Sequence, residues 1–126
     1  MTRPDDRLRA RRVLIVEDEY YIAQDLRIAL ESEGAEILGP VASVDEALAF
    51  IEEGGLDAAV LDVNLESDGS AYPVAEALRA RGIPFVFATG YDLKSIRADF
   101  DAVPHIAKPF EHARLIGTLS DQIGAR

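Results

Sequence analysis

Apolar residues in this chain fall into two alternating patterns. Short unbroken runs, such as Val13-Leu14-Ile15-Val16, Ala58-Ala59-Val60-Leu61 and Phe85-Val86-Phe87-Ala88, are separated by longer stretches in which apolar residues return every three or four positions. An unbroken short run bounded by turn residues marks a strand covered on both faces, and three- and four-residue spacing marks one face of a helix. The pattern predicts strands over 12–16, 36–41, 57–61, 84–88 and 103–107. After the first strand, Ile22, Leu26, Ala29 and Leu30 share a helical face, and Gly34 stops the helix. After the second, Ser43-Val44-Asp45-Glu46 is a capping box that opens a helix with Val44, Ala47, Leu48 and Ile51 on its buried stripe, ended by Gly54-Gly55. Val74, Ala77 and Leu78 follow the third strand, closed by Gly82. A weakly patterned helix is expected from Leu93 to Phe100, and Leu115, Ile116, Leu119 and Ile123 mark the last one.

Five strand–helix units in 126 residues make one domain. Parallel strands buried on both faces, joined by right-handed crossovers, lead to a doubly wound (βα)5 three-layer sandwich of flavodoxin-like type, with sheet order 2-1-3-4-5. Residues 12–126 form that domain. Residues 1–11 are polar, with Arg3, Arg7, Arg9 and Arg11 diluted by Asp5 and Asp6, and are expected to be a flexible tail.

This order concentrates the chemistry. Ligands of an open parallel sheet bind beyond the carboxyl ends of the strands, at the point where strand order reverses, here between strands 1 and 3. Strand 1 runs into Glu17-Asp18, strand 3 into Asp62, strand 4 into Thr89 and strand 5 into Lys108. Adjacent carboxylates at a buried strand end repel each other and lose hydration unless a cation is bound. Asp18 has a competing structural role, as the N-cap of the first helix. A third carboxylate one strand away, Asp62, favours the metal. A carboxylate is also a nucleophile toward phosphorus. Asn64 is placed to lend a backbone carbonyl to the ion. The Thr89 hydroxyl suits a phosphoryl oxygen, and Gly90 lets backbone approach a ligand closely. The Lys108 ammonium suits phosphate as a point charge. The Lys108–Pro109 bond is open to either isomer.

Composition narrows the chemistry. A net charge of −10 argues against nucleic acid and anionic membrane surfaces as partners. With no cysteine and two histidines, a metal would be held by oxygen, which favours Mg²⁺, Mn²⁺ or Ca²⁺. No stretch reaches membrane-spanning length and the first residues lack a signal-peptide pattern, so the cytoplasm is the expected location.

Val16-Glu17-Asp18-Glu19, Leu61-Asp62-Val63-Asn64-Leu65, Ala88-Thr89-Gly90 and Lys108-Pro109-Phe110, in this order at these strand ends, resemble the receiver domain of bacterial two-component response regulators, over about residues 11–124. The resemblance implies that Asp62 is the phosphoacceptor and that Asp18 binds Mg²⁺ directly. Glu17 would reach the ion through water and Asn64 through its carbonyl, while Thr89 and Lys108 take phosphoryl oxygens. It implies a sensor histidine kinase or phosphotransfer protein as donor, output through a downstream protein partner, and no enzymatic activity beyond the domain's own phosphorylation and dephosphorylation. There are departures. Leu65-Glu66 stands where receivers usually have Met-Pro, and His105 replaces the usual rotating aromatic. The segment from Pro84 to Asp92, with Phe87-Ala88-Thr89-Gly90-Tyr91 inside it, resembles the single-domain "FAT GUY" receivers, which implies kinases of the HWE or HisKA2 type. His105 is then expected to be a bystander, with switching centred on the segment after Thr89.

Other functions fit less well. A Mg²⁺-dependent phosphohydrolase with an Asp nucleophile would want a second acid-base Asp two residues after Asp62 and length for a substrate cap. A flavodoxin-like cofactor binder needs a Gly/Ser/Thr-rich loop where Glu17-Asp18-Glu19-Tyr20-Tyr21 stands. An unphosphorylated scaffold would not need the intact acidic set.

Overall fold

Each strand expected from an apolar run forms in the computed structural model, which describes residues 7–65, 69–89 and 96–124, and of Asn64 the backbone alone. The strands are β1 (Arg12–Val16), β2 (Glu36–Val41), β3 (Ala58–Asp62), β6 (Phe85–Thr89) and β7 (His105–Ala107). They form one parallel sheet in the order β2-β1-β3-β6-β7. Two short segments, β4 (Asn64–Leu65) and β5 (Gly69–Ser70), make a separate antiparallel ribbon, so the main sheet has the expected 2-1-3-4-5 order when only its own strands are counted. β3 and β6 reach one residue further than the apolar runs, so Asp62 and Thr89 end their strands instead of following them.

Alternation along the strands divides the core. Leu14, Val16, Ala59, Leu61, Phe85 and Phe87 face one layer, with α2 (Val44–Glu53) and α3 (Tyr72–Ala80). Val13, Ile15, Ala58, Val60, Val86 and Ala88 face the other, with α1 (Tyr20–Glu31) and α4 (His112–Gly124). Both layers are apolar, which is why the central strands lack an alternating polar face. Ser43 caps α2 as expected: its Oγ accepts from the Glu46 amide at 3.2 Å and donates to Glu46 Oε1 at 3.0 Å. β2 comes close to β1 at Gly39, whose φ is +91° and where a Cβ would lie 3.0 Å from the Ile15 carbonyl, so a side chain there is excluded. The Gly39–Pro40 and Lys108–Pro109 peptide bonds are cis. Among the described residues no helix is long and apolar enough to cross a membrane.

Two expectations need correction. Residues 7–11 are not a loose tail. Leu8 is fully buried in the layer with α1 and α4, the Ala10 amide donates to Gly34 O at 2.8 Å, and Arg7 pairs with Asp121 at 3.8 Å. The Arg7 guanidinium also lies against Gly124, where an added Cβ would come within 2.6 Å. One apolar side chain docks the segment by joining the buried cluster that also holds Leu30 and Ile123. Leu8→Ala is expected to cost about 2 kcal/mol, at the low end for a buried leucine because a segment near a chain end can relax. A urea melt checks this, and an unchanged midpoint would contradict the docking.

The second correction concerns the helix expected over 93–100. Residues 90–95 lie outside the described residues, and 96–100 contain a 3₁₀ turn, Ala98–Phe100, in place of an α-helix. Arg97 has extended ψ of 136°, and its amide is bonded to Tyr72 Oη at 2.8 Å. Phe100, fully buried among Tyr72, Phe85 and Phe87, anchors the turn.

Candidate functional site

The carboxyl ends of β1, β3, β6 and β7 bring the polar strand-end residues to one edge of the sheet. Glu17 and Asp18 follow β1 directly, Asp62 ends β3, Thr89 ends β6, and Lys108 follows β7. Glu17, Asp18 and Asp62 each offer a carboxylate oxygen within 4.8 Å of the others. Glu17 and Asp62 are buried and Asp18 is half-buried. The helix cap is Glu19, whose Oε2 accepts from the Ile22 amide at 2.9 Å, so the capping role that competed for Asp18 belongs to its neighbour.

Lys108 sits inside this cluster. Its Nζ is 2.6 Å from Glu17 Oε1 and 3.2 Å from Asp62 Oδ2. The shorter contact is a charge pair outside hydrogen-bond alignment, so Glu17 Oε1 is a buried carboxylate oxygen without an aligned donor. Glu17 Oε2 accepts from the Glu19 amide at 3.1 Å. The Glu17 carboxyl is raised to about 7, chiefly by burial; Lys108 opposes the rise and the nearby Asp62 adds to it. Burial works against the Lys108 ammonium, but Glu17 and Asp62 together outweigh that and hold it above its ordinary value.

Thr89 is buried, and its Oγ1 makes a long 3.5 Å contact to Ile106 O. Its backbone is held firmly: Thr89 O accepts from the Lys108 amide at 2.8 Å, which fixes the two phosphate-suited residues side by side. Asn64 opens the β4–β5 ribbon two residues beyond Asp62. The Ala71 amide closes that excursion by donating to Val63 O at 2.8 Å. His105 is exposed on β7, the edge strand. The direct Glu17–Lys108 pair was not foreseen. Its only trace in the sequence is a glutamate and one of two lysines, each at the carboxyl end of a strand.

Three acidic side chains, an ammonium and a hydroxyl converge at the reversal point of a 2-1-3-4-5 sheet, and the response regulator receiver domain family matches residues 13–120. The chain belongs to the response regulator receiver family. The receiver is 46% identical to SdrG from Sphingomonas melonis Fr1, with a TM-score of 0.77 over 86% of this chain and 95% of SdrG. It is 27% identical to the receiver domain of the sensor histidine kinase PA1611 from Pseudomonas aeruginosa PAO1, with a TM-score of 0.78 over 91% of this chain and 98% of that one; that structure has a magnesium ion in its active-site cleft. The sensory transduction protein LytT of Bacillus cereus is 35% identical over 112 residues, covering 86% of this receiver and 45% of LytT. The chain thus spans about half the length of the curated relatives it matches.

The donor set of this receiver fits a hard divalent cation. Its ligands are oxygens, their charges are mutually repulsive, and one buried oxygen lacks an aligned partner.

Proposed function

We propose that this receiver accepts a phosphoryl group on Asp62 from a phosphohistidine on a sensor histidine kinase or phosphotransfer protein, and signals by changing its contacts with a downstream protein. The observation that carries this is the placement of Asp62 between two other carboxylates and the Lys108 ammonium. An Asp62 oxygen forms the new O–P bond while the donor's N–P bond breaks, and the bond's electron pair stays on the departing imidazole. Positioning and charge neutralisation do most of the work in such a transfer. Lys108 exchanges its contact with Asp62 for a phosphoryl oxygen, and the Thr89 hydroxyl donates to another. Glu17, Asp18, Asp62 and the Asn64 carbonyl would hold Mg²⁺, which supplies positive charge to the transferring group.

The chain then acts as a signalling phosphoacceptor in the cytoplasm, with no substrate beyond its own phosphorylation and dephosphorylation. The Phe87-Ala88-Thr89-Gly90-Tyr91 motif supports a FAT GUY receiver paired with a kinase of the HWE or HisKA2 type. The charge of −10 supports output through protein rather than DNA. Incubation with acetyl phosphate and Mg²⁺, read by intact mass, is expected to add one phosphoryl group to the wild type and none to Asp62→Ala. Modification that survives in Asp62→Ala would refute the assignment.

A further inference from the structure

Beyond the carboxylate cluster, a dense set of directed contacts among the described residues joins α3 to the 3₁₀ turn. The Arg97 guanidinium donates to Asp99 Oδ1 and Oδ2 at 2.7 Å each and to Glu76 Oε2 at 2.7 Å. It also lies over the rings of Tyr72 and Phe100, at 4.9 Å and 5.0 Å. Arg79 covers Phe100 at 3.9 Å and donates to Asp99 Oδ2 at 3.1 Å. Exposed ion pairs of this kind contribute little to stability on their own. Here they have a further effect: they hold the Arg97 backbone where its amide reaches Tyr72 Oη, at 2.8 Å.

Tyr72 is tied equally closely to the phosphoacceptor. Its own amide donates to Ser70 Oγ at 3.1 Å, and the amide of the preceding Ala71 donates to Val63 O at 2.8 Å. Val63 is the residue after Asp62. The Tyr72 ring stacks on Phe100 at 5.6 Å and meets Phe87 edge-on at 6.1 Å. Phe87 stands two residues before Thr89. Tyr72 therefore adjoins the excursion that leaves Asp62 through its backbone, and the strand that ends in Thr89 and the turn that begins at Arg97 through its side chain.

We propose that Tyr72 is a positioning residue that couples the backbone after Asp62 to the turn at Arg97, with Glu76 and Asp99 holding Arg97 in register for its hydroxyl. The proposal rests on Asp62 being the phosphoacceptor. A group added to Asp62 displaces the Asp62–Val63 backbone. The Val63–Ala71 hydrogen bond passes that displacement to the start of α3, and the Tyr72 side chain, seated against Phe87 and Phe100, carries it through its hydroxyl to the Arg97 amide. Energetic coupling of this sort runs through packed side chains and hydrogen bonds that are contiguous, as these are. His105, exposed on the edge strand, lies off this route.

The test is amide NMR of the full chain with Mg²⁺, before and after beryllofluoride. In the wild type, the Val63 and Arg97 resonances are both expected to move. Tyr72→Phe keeps the ring contacts and removes only the hydroxyl. In it Val63 should still move, and the Arg97 displacement should be lost. In His105→Ala both displacements should persist. An Arg97 resonance that moves as far in Tyr72→Phe as in the wild type overturns the coupling, as does its loss in His105→Ala. A wild type in which Val63 moves and Arg97 does not overturns the coupling alone. If neither moves, the phosphoacceptor assignment falls with it.

Discussion

Lys108→Ala is expected to destabilise the metal-free protein by about 3 kcal/mol at pH 8, because it leaves a carboxylate pair buried without its cation. Glu17 has a fully buried side chain and Lys108 Nζ lies 2.6 Å from it, while Asp62 loses a contact of 3.2 Å. The penalty should shrink at pH 5, where Glu17 is protonated and has less need of an ammonium. It should also shrink in saturating Mg²⁺, which supplies the missing charge. Urea melts in EDTA and in Mg²⁺ at the two pH values measure all three effects. A loss under about 1 kcal/mol at pH 8 in EDTA would mean that the pair adds no more than a surface salt bridge does. The same variant should phosphorylate poorly even when Mg²⁺ restores its stability, since it lacks the phosphoryl group's ammonium.

In EDTA the wild type is expected to lose stability as the pH rises from about 5 to about 8, by up to ~3 kcal/mol. Glu17 has a folded-state value raised from 4.5 to about 7. Between those two values the folded chain binds a proton that the unfolded chain has released, so raising the pH favours unfolding. Asp99 acts in the opposite sense, since its bonds to Arg97 hold its carboxyl below the usual range, but its window lies below about pH 4 and does not overlap. Mg²⁺ that binds only the folded state should add roughly 1–3 kcal/mol at ~10–100 times its Kd and should flatten the slope near neutrality. Glu17→Gln should flatten it without metal. A wild type whose urea midpoint in EDTA is level from pH 5 to pH 8 would show that the Glu17 carboxyl titrates as an ordinary one.

The residues that define the site were legible because each interrupts a pattern that burial imposes. Asp62 and Thr89 end runs whose other members are all buried, and Glu17 follows four apolar residues. A polar group in such a place needs a partner, and the topology puts the partners together. What stayed hidden depends on pairing across the chain. Leu8 is one apolar residue among arginines, with no periodicity to mark it, and it is buried by joining a cluster drawn from distant parts of the chain, α1 and α4 among them. The turn at Ala98–Phe100 reads as a weak helix from its spacing, whereas the Arg97 amide is captured by a tyrosine 25 residues earlier. The Glu17–Lys108 contact spans most of the sheet's width in sequence terms, and nothing local to either residue announces it.

The docking of residues 7–11 also bears on how the domain can be handled. Arg7 touches Asp121 and lies against Gly124, so the two ends of the described chain adjoin. They do so beyond the amino ends of the strands, since β1 starts just after Leu8 and α4 runs back antiparallel to the sheet. The carboxylates occupy the other pole. Adjoining ends suit circular permutation and insertion into a host protein, because a short linker can bridge them without strain. A tether or reporter fused at that pole would leave the carboxylate pole turned away from the support, so surface-immobilised copies should still be open to a phosphodonor.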